Sequence, residues 1–198
     1  MPARGTWLVP SPANGLDVRA FPEFVLPVGA TLYRVHRSGV VVWWFNRDGS
    51  RRFDLKGGNG TCYTAATDEG AFIEVFGRTG IVDPADVATR SLAIIRIDTP
   101  LRLADLRAAS AAGFGVTATV SAGVPYEQHS HPWARALWQA GFDGIRYVLR
   151  HDPTGDERGY ALFGPGGASL GYGAASTAPV GRDLLSRCVN RRGLTLAP

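Results

Sequence analysis

The sequence contains little cysteine, almost no lysine and no long hydrophobic run. Its two cysteines, Cys62 and Cys188, match no zinc-binding spacing and are too few for a disulfide framework, so we interpret both as packing residues. No apolar stretch approaches the roughly 18 residues that a membrane helix needs, and the segment 1–17 lacks a charged start followed by an apolar stretch. We therefore expect a cytoplasmic protein that does not associate with a membrane.

Lys56 is the only lysine, whereas 20 of the 21 basic residues are arginines, and the formal net charge is +4. An excess of arginine fits a phosphate-bearing partner, because the guanidinium offers a flat fork of donors to phosphate oxygens. It also fits a GC-rich genome, and this explanation is favoured for the overall excess because the arginines are spread along the chain. Individual arginines remain candidates for phosphate binding.

With 198 residues, of which 45% are hydrophobic and 19% charged, the chain is long enough for one ordinary globular domain. Hydrophobic alternation and β-branched or aromatic runs predict strands over 31–37, 41–46, 60–65, 91–98, 101–106, 144–150 and 159–164. Capping residues and apolar i, i+4 pairs predict helices over 68–77, 131–141 and 182–192. The segments 113–128 and 164–177 are predicted to be loops. Because helices do not alternate regularly with strands, the pattern indicates an α+β fold, with a mixed, mostly antiparallel sheet and few helices.

Two residue patterns match known functional motifs, but the surrounding sequence does not support either function. Residues 167–171 match the nucleophile-elbow pattern of hydrolases, but no histidine follows Ser169 to serve as the base in the order that this fold requires. His129 and His131 are two residues apart and do not face one way on a helix, so we predict no metal site. The sequence also shows no phosphate-binding P-loop.

Polar and aromatic candidates for a site fall within or beside elements that are predicted to be half-buried: Arg34, His36, Arg51, Arg52, Phe53, Tyr63 and Glu74. Glu74 is the most informative of them, because a carboxylate on a largely apolar helix needs either solvent or a partner. Arg34 fits equally well on the solvent side of its strand. Tyr63 fits equally well as a core residue whose hydroxyl has a partner.

Short motifs follow one another along the chain in this order: Leu32-Tyr33-Arg34-Val35, Phe45-Asn46, Arg52-Phe53, Gly60-Thr61-Cys62-Tyr63-Thr64-Ala65, Glu74, Trp133-Ala134-Arg135-Ala136-Leu137 and Gly141-Phe142-Asp143-Gly144-Ile145. The set resembles the RES-domain family, named for an arginine, a glutamate and a serine, over about residues 30–163. The resemblance implies a RES-like catalytic domain over 31–163. Composition predicts an N-terminal arm over 1–30, which is rich in Pro, Ala and Gly, and a Gly-rich segment with a C-terminal helix over 164–198. The resemblance also implies a fold similar to that of ADP-ribosyltransferases.

The resemblance assigns roles to particular residues. Family members are typically toxins of toxin–antitoxin pairs, and characterised relatives break down NAD+ by hydrolysis or phosphorolysis. It implies catalytic roles for Arg34 and Glu74, and it implies that NAD+ is the substrate, with no further cofactor. We expect further pocket residues for NAD+ to be Arg52, Tyr63, Phe53 and His36.

The family's serine is the point where this sequence departs from the pattern. A serine often follows the strand that contains the GIxY motif, but here that place is occupied by Val148-Leu149-Arg150. Another hydroxyl stands just before the 133–137 motif, and the resemblance carries the catalytic serine over to this residue, Ser130.

The residue types fit the chemistry independently of the family name. Cleavage of the bond between nicotinamide and ribose passes through a cation-like sugar, which a nearby carboxylate such as Glu74 stabilises. Arg34 and Arg52 offer forked donors to the pyrophosphate, and the rings of Tyr63 or Phe53 can stack on nicotinamide. Water or phosphate then captures the ribosyl centre, and the sequence does not distinguish the two.

Other functions stay open at this point. The same pocket could transfer ADP-ribose to a protein side chain. The pI of about 9.4 and the pair Trp43 and Trp44 would also fit a nucleic-acid-binding module, but we expect no direct nucleic-acid partner because lysine is nearly absent. A catalytically inactive interaction protein is a further alternative. The resemblance implies an antitoxin partner encoded nearby, and homo-oligomerisation is left open.

Overall fold

A computed structural model describes residues 11–12 and 16–198 of the protein. The strands are β1 Glu23–Leu26, β2 Thr31–Arg37, β3 Trp44–Phe45, β4 Asn59–Ala65, β5 Ile81–Val82, β6 Arg90–Ile97, β7 Leu101–Asp105, β8 Gly144–Val148, β9 Arg158–Pro165, β10 Gly167–Ala168, β11 Gly173–Pro179 and β12 Thr195–Leu196. The α-helices are α1 Asp68–Phe76, α2 Pro84–Ala88, α3 Ala118–Ala122, α4 Ser130–Gln139 and α5 Arg182–Arg192. Short 3-10 helices cover Val18–Ala20 and Ala109–Phe114.

Eight of these strands form one mixed sheet in the order β1-β7-β8-β9-β4-β2-β6-β11. Strands β7 and β8 run parallel, and the other neighbouring pairs run antiparallel. The remaining strands form two small ribbons, β10 with β3 and β12 with β5. The predicted α+β class, with a mostly antiparallel sheet and few helices, is confirmed.

The sheet divides near its middle, between β2 and β4. Strand β4 pairs with β9 over seven residues, and β2 pairs with β6 over seven residues. In contrast, β2 and β4 are paired at one position, Tyr33 with Ala65. The two halves of the sheet therefore diverge beyond this pair, and the gap between the strands opens a cleft.

Helix α1 begins where the sequence predicts it. Thr67 is its N-cap, with Oγ1 accepting a hydrogen bond from the Gly70 amide at 2.8 Å, and Asp68 and Glu69 lie in the first turn. The helix packs against β2 and β4, beside the gap in the sheet. Its apolar side chains, including Phe72 and Ile73, are buried, and this packing holds the helix at the edge of the cleft.

Apolar side chains form two clusters because successive residues of a strand point to opposite faces of the sheet. On β9, for example, Ala161 and Phe163 belong to one cluster and Leu162 to the other. The first cluster is covered by helices and includes Phe72 of α1 and Trp133 of α4.

Three segments differ from their predictions. Residues 164–177, predicted as a loop, contain β10 and most of β11. The side chains of β11 are small and exposed and show no hydrophobic alternation, but its backbone pairs with β6. Residues 113–128, also predicted as a loop, contain α3, a single turn that buries Val120 and is too short to show a helical period. Residues 41–46 supply only β3, because the partner strand β10 is two residues long.

The ends of the chain contribute elements outside the predicted catalytic domain. The predicted arm, residues 1–30, lies partly outside the described residues, and its described part includes β1, which pairs with β7 at the edge of the sheet. The division of the chain at residues 30 and 163 stays a prediction. None of the helices in residues 11–12 and 16–198 is long and apolar enough to cross a membrane.

Candidate active site

The gap between β2 and β4 forms a cleft with a volume of about 640 Å³, which is within the range of small-molecule sites. Strands β2 and β4 form its walls, together with the C-terminal half of α1 and the segments that follow β3 and β8. The cleft therefore exists because the sheet divides, and several of the residues that the sequence placed in a site line it.

The lining of the cleft is strongly basic. Among the described residues, the arginines that line it are Arg34, Arg37, Arg51, Arg52, Arg78, Arg90 and Arg150. Glu74 is the only acidic side chain in the described lining. A concave surface with this balance of charge attracts an anionic ligand, and the forked guanidinium group suits phosphate oxygens best.

Glu74 projects from the C-terminal half of α1, and its side chain is 21% exposed. Its Oε1 accepts a hydrogen bond from the Tyr147 hydroxyl at 3.4 Å, whereas Oε2 has no hydrogen-bond partner among the described residues. Burial raises the pKa of the Glu74 carboxyl above its ordinary value, while the charges of Arg52 and Arg150 oppose that increase. The second carboxylate oxygen is therefore buried, and the described residues leave its hydrogen-bonding capacity unused.

Arg52 is buried beside this carboxylate. Its Nη2 lies 3.8 Å from Oε1 of Glu74, and its guanidinium carbon lies 5.2 Å from the centroid of the Tyr147 ring. Its side chain is 5% exposed, and Nε and Nη1 have no hydrogen-bond partner within the described part of the chain. Buried donors without partners are costly, so this side chain is suited to an anionic ligand that would satisfy them.

Arg34 and His36 lie two residues apart on β2, on the same face of the strand. Nη1 of Arg34 donates to the Trp44 carbonyl at 3.2 Å and also contacts Sγ of Cys62. Nδ1 of His36 lies 3.0 Å from the carbonyl of Arg37, and burial lowers the pKa of the His36 imidazole. Both residues line the cleft.

Tyr63 lines the cleft, but its hydroxyl group forms hydrogen bonds with Asp54 and Phe53. The hydroxyl donates to Oδ1 of Asp54 at 2.9 Å and accepts from the amide of Phe53 at 2.8 Å. Burial and the neighbouring Asp54 carboxyl raise the pKa of Tyr63 well above its ordinary value. The hydroxyl is therefore neutral and structural, and Arg51 lies 5.8 Å from the centroid of its ring.

Ser130 and Phe53 are close to the cleft without lining it. Ser130 is fully buried at the start of α4, and its hydroxyl donates to the carbonyl of Arg52. Phe53 is also fully buried, with its ring centroid 5.0 Å from that of Tyr147. The structure thus brings Arg34, His36, Arg52, Tyr63 and Glu74 together around one cleft, and it places Ser130 and Phe53 behind its wall.

Several lining residues were missed by the sequence analysis, among them Tyr126, Arg150 and His151. Arg150 is the last residue of the predicted strand 144–150, which contains the GIxY motif, and His151 follows it. A polar pair at a strand end was the signal that could have identified them. Burial, followed by the charge of Arg150, lowers the pKa of His151. Tyr147, which contacts Glu74, was predicted only as part of a strand.

Both the sequence and the fold are similar to those of known proteins. A family model described as "RES domain" matches residues 31–178. A crystal structure of the M. tuberculosis MbcT–MbcA toxin–antitoxin complex is similar in fold, with a TM-score of 0.58 and 16% sequence identity, and the match covers 82% of this chain and 88% of the other. No curated protein matches the chain. Because the family model spans well over half of the sequence, the chain belongs to the RES-domain family.

Proposed function

We propose that the protein is an NAD+-degrading enzyme that cleaves the bond between nicotinamide and ribose. The observation that carries this proposal is the single carboxylate of Glu74 in a described lining that contains seven arginines. NAD+ needs this combination, because its pyrophosphate is anionic while the reacting sugar becomes cationic. Membership of the RES-domain family supports the same activity.

The arginines account for binding of the substrate. Arg52 holds two buried donor nitrogens without partners among the described residues, and Arg34 supplies a second guanidinium from β2. Charge-assisted hydrogen bonds from two such groups would fix the pyrophosphate between β2 and the residues after β3. The side chain of Tyr63, which lines the same cleft, offers an aromatic surface for the nicotinamide ring.

Glu74 accounts for the chemistry. As the bond between the ribose carbon and the nicotinamide nitrogen breaks, its electron pair leaves with nicotinamide and positive charge develops on the sugar. A carboxylate in a partly desolvated cleft stabilises that charge more strongly than water does. Water then adds to the sugar carbon and loses a proton, which gives ADP-ribose; phosphate as the acceptor would give ADP-ribose 1-phosphate.

We also propose that the protein acts as a toxin that an antitoxin restrains. The similar structure of MbcT with MbcA is described as a toxin–antitoxin complex, and this supports an antitoxin partner for the present chain. Induced expression in bacteria should then arrest growth and lower cellular NAD+. Co-expression of a small protein encoded beside this gene should restore both.

The direct test is to incubate the purified protein with NAD+, with and without inorganic phosphate, and to separate the products by liquid chromatography. Release of nicotinamide with ADP-ribose, or with ADP-ribose 1-phosphate when phosphate is present, would support the proposal and identify the acceptor. Nicotinamide release with the ADP-ribose attached to protein would instead support an ADP-ribosyltransferase. No release above buffer under any of these conditions would contradict the proposal.

A further inference from the structure

Two arginines of the cleft, Arg51 and Arg52, lie in a tight segment that we call the arginine turn, residues 51–54. The first turn of α4 contacts this segment from behind the cleft. Nε2 of His131 lies 2.8 Å from the carbonyl oxygen of Arg51, and the Ser130 hydroxyl donates to the carbonyl of Arg52. Because a carbonyl oxygen only accepts, the His131 ring must carry its proton on Nε2.

Other side chains bind three further polar groups of the arginine turn. The Arg51 amide donates to Oδ2 of Asp54 at 3.0 Å, and the Phe53 amide donates to the Tyr63 hydroxyl. The carbonyl of Phe53 accepts from Oγ1 of Thr61 at 2.8 Å. The backbone of the turn is therefore fixed from β4 on one side and from α4 on the other.

These backbone contacts are important because the guanidinium group of Arg52 itself makes few polar contacts. Its contact with Glu74 is 3.8 Å long, and two of its nitrogens have no hydrogen-bond partner among the described residues. The direction in which Arg52 projects into the cleft therefore depends on its backbone as well as on the contacts with Glu74 and Tyr147. Ser130 and His131 are 0% and 5% exposed, so they hold that backbone from a buried position.

We propose that His131 and Ser130 are positioning residues, which fix the carbonyls of Arg51 and Arg52 and thereby aim the two guanidinium groups at the pyrophosphate of the substrate. This inference rests on the proposed function. Neither side chain belongs to the described lining of the cleft, so both act through the arginine turn rather than by touching NAD+. Ser130, which the sequence suggested as catalytic, is thus assigned a different role.

The kinetic test uses the variants His131→Leu, His131→Gln and Ser130→Ala. Removal of a positioning hydrogen bond should misplace the arginines and raise the KM for NAD+ by about tenfold, with a smaller change in kcat. A glutamine at position 131 retains an N–H donor, so His131→Gln should recover most of the loss. A residue that touches the reacting atoms would instead lower kcat at unchanged KM.

A matched control is His129→Leu, at the N-cap of the same helix. Nδ1 of His129 has no hydrogen-bond partner in the described part of the chain, so this change should leave KM unaltered. A second measurement does not require turnover: hydrogen exchange of the amides at 51–55 should accelerate in His131→Leu and in Ser130→Ala, but not in His129→Leu.

The outcomes separate the two proposals. If wild-type protein releases no nicotinamide, the proposed function fails, and hydrogen exchange alone then decides whether α4 fixes the arginine turn. The positioning role is overturned if folded His131→Leu and Ser130→Ala keep wild-type KM, or if the exchange at 51–55 does not change. It is also overturned if folded Ser130→Ala loses kcat alone, because that result would make Ser130 catalytic.

Discussion

Nη2 of Arg52 lies 3.8 Å from Oε1 of Glu74, and both side chains are held within one cleft. Burial raises the pKa of the Glu74 carboxyl, and the positive charge of Arg52 is the largest influence that opposes the increase. The guanidinium therefore has two roles in our account. It binds substrate phosphate, and it favours the ionised form of the carboxylate that acts on the ribose.

The first prediction concerns the pH dependence of activity in an Arg52→Gln variant. Loss of the guanidinium removes the main opposition to the raised pKa of Glu74, so that pKa should rise further. The acidic limb of the kcat profile against pH should then move to higher pH than in the wild type. An Arg150→Gln variant should move the limb in the same direction by a smaller amount, since Arg150 has the second-largest opposing charge. If folded Arg52→Gln has the acidic limb of its kcat profile at the same pH as the wild type, the proposed electrostatic pairing is contradicted.

The second prediction concerns the stability of a Glu74→Gln variant. The pKa of the Glu74 carboxyl is higher in the folded state than its ordinary value of 4.5. As the pH rises through the interval between these two values, ionisation of the carboxyl destabilises the fold. Above that interval, the neutral amide should make Glu74→Gln more stable than the wild type. Urea unfolding at pH 7 and at pH 4.5 measures the difference, which should be larger at pH 7. A variant that is less stable at pH 7 would show that the carboxylate has stabilising partners.

The third prediction concerns the C-terminal helix α5, which lies beyond the RES match. Arg192 at its end forms ion pairs with Glu69 of α1 at 2.9 Å, with Asp152 at 3.6 Å and with Glu157. These three carboxylates are at most 10% exposed. Arg192→Ala would leave them without that partner, so the free energy of unfolding should fall by about 3 kcal/mol.

The control for this prediction is Arg191→Ala. The Arg191 side chain is 69% exposed and pairs with Glu69 at 3.3 Å, so its loss should change the free energy of unfolding by less than about 1 kcal/mol. Urea titrations of the two variants measure the difference. Equal effects of the two substitutions would indicate that the buried network contributes no more than a surface ion pair.

The sequence predicted the elements that have strong local signals. Strand β2 has the bounds that were predicted, and α1 begins after Thr67, because an apolar period and a capping residue are local properties. Strand β11 was missed because it is stabilised by pairing with β6, which is remote in sequence, and its small side chains show no alternation. The division of the sheet between β2 and β4 depends on register and has no local signal at all.

The sequence predicted some of the polar residues of the candidate site and missed others. Arg34 and Glu74 stand out because each is a charge within an apolar pattern, and both line the cleft. Arg150 and His151 were missed because only the pairing of β8 and β9 places the end of β8 near α1. The buried position of Ser130 behind Arg52 is likewise a tertiary feature, since 78 residues separate them.

The most direct test of the central claim is the rate of nicotinamide release by Glu74→Gln, measured beside the wild type over a range of NAD+ concentrations. The amide retains the shape of the side chain but removes the charge that stabilises the developing sugar cation. We predict a fall in kcat of about a hundredfold or more, with little change in KM, for a variant whose circular dichroism spectrum is native. A folded Glu74→Gln protein that releases nicotinamide at nearly the wild-type rate would contradict the account.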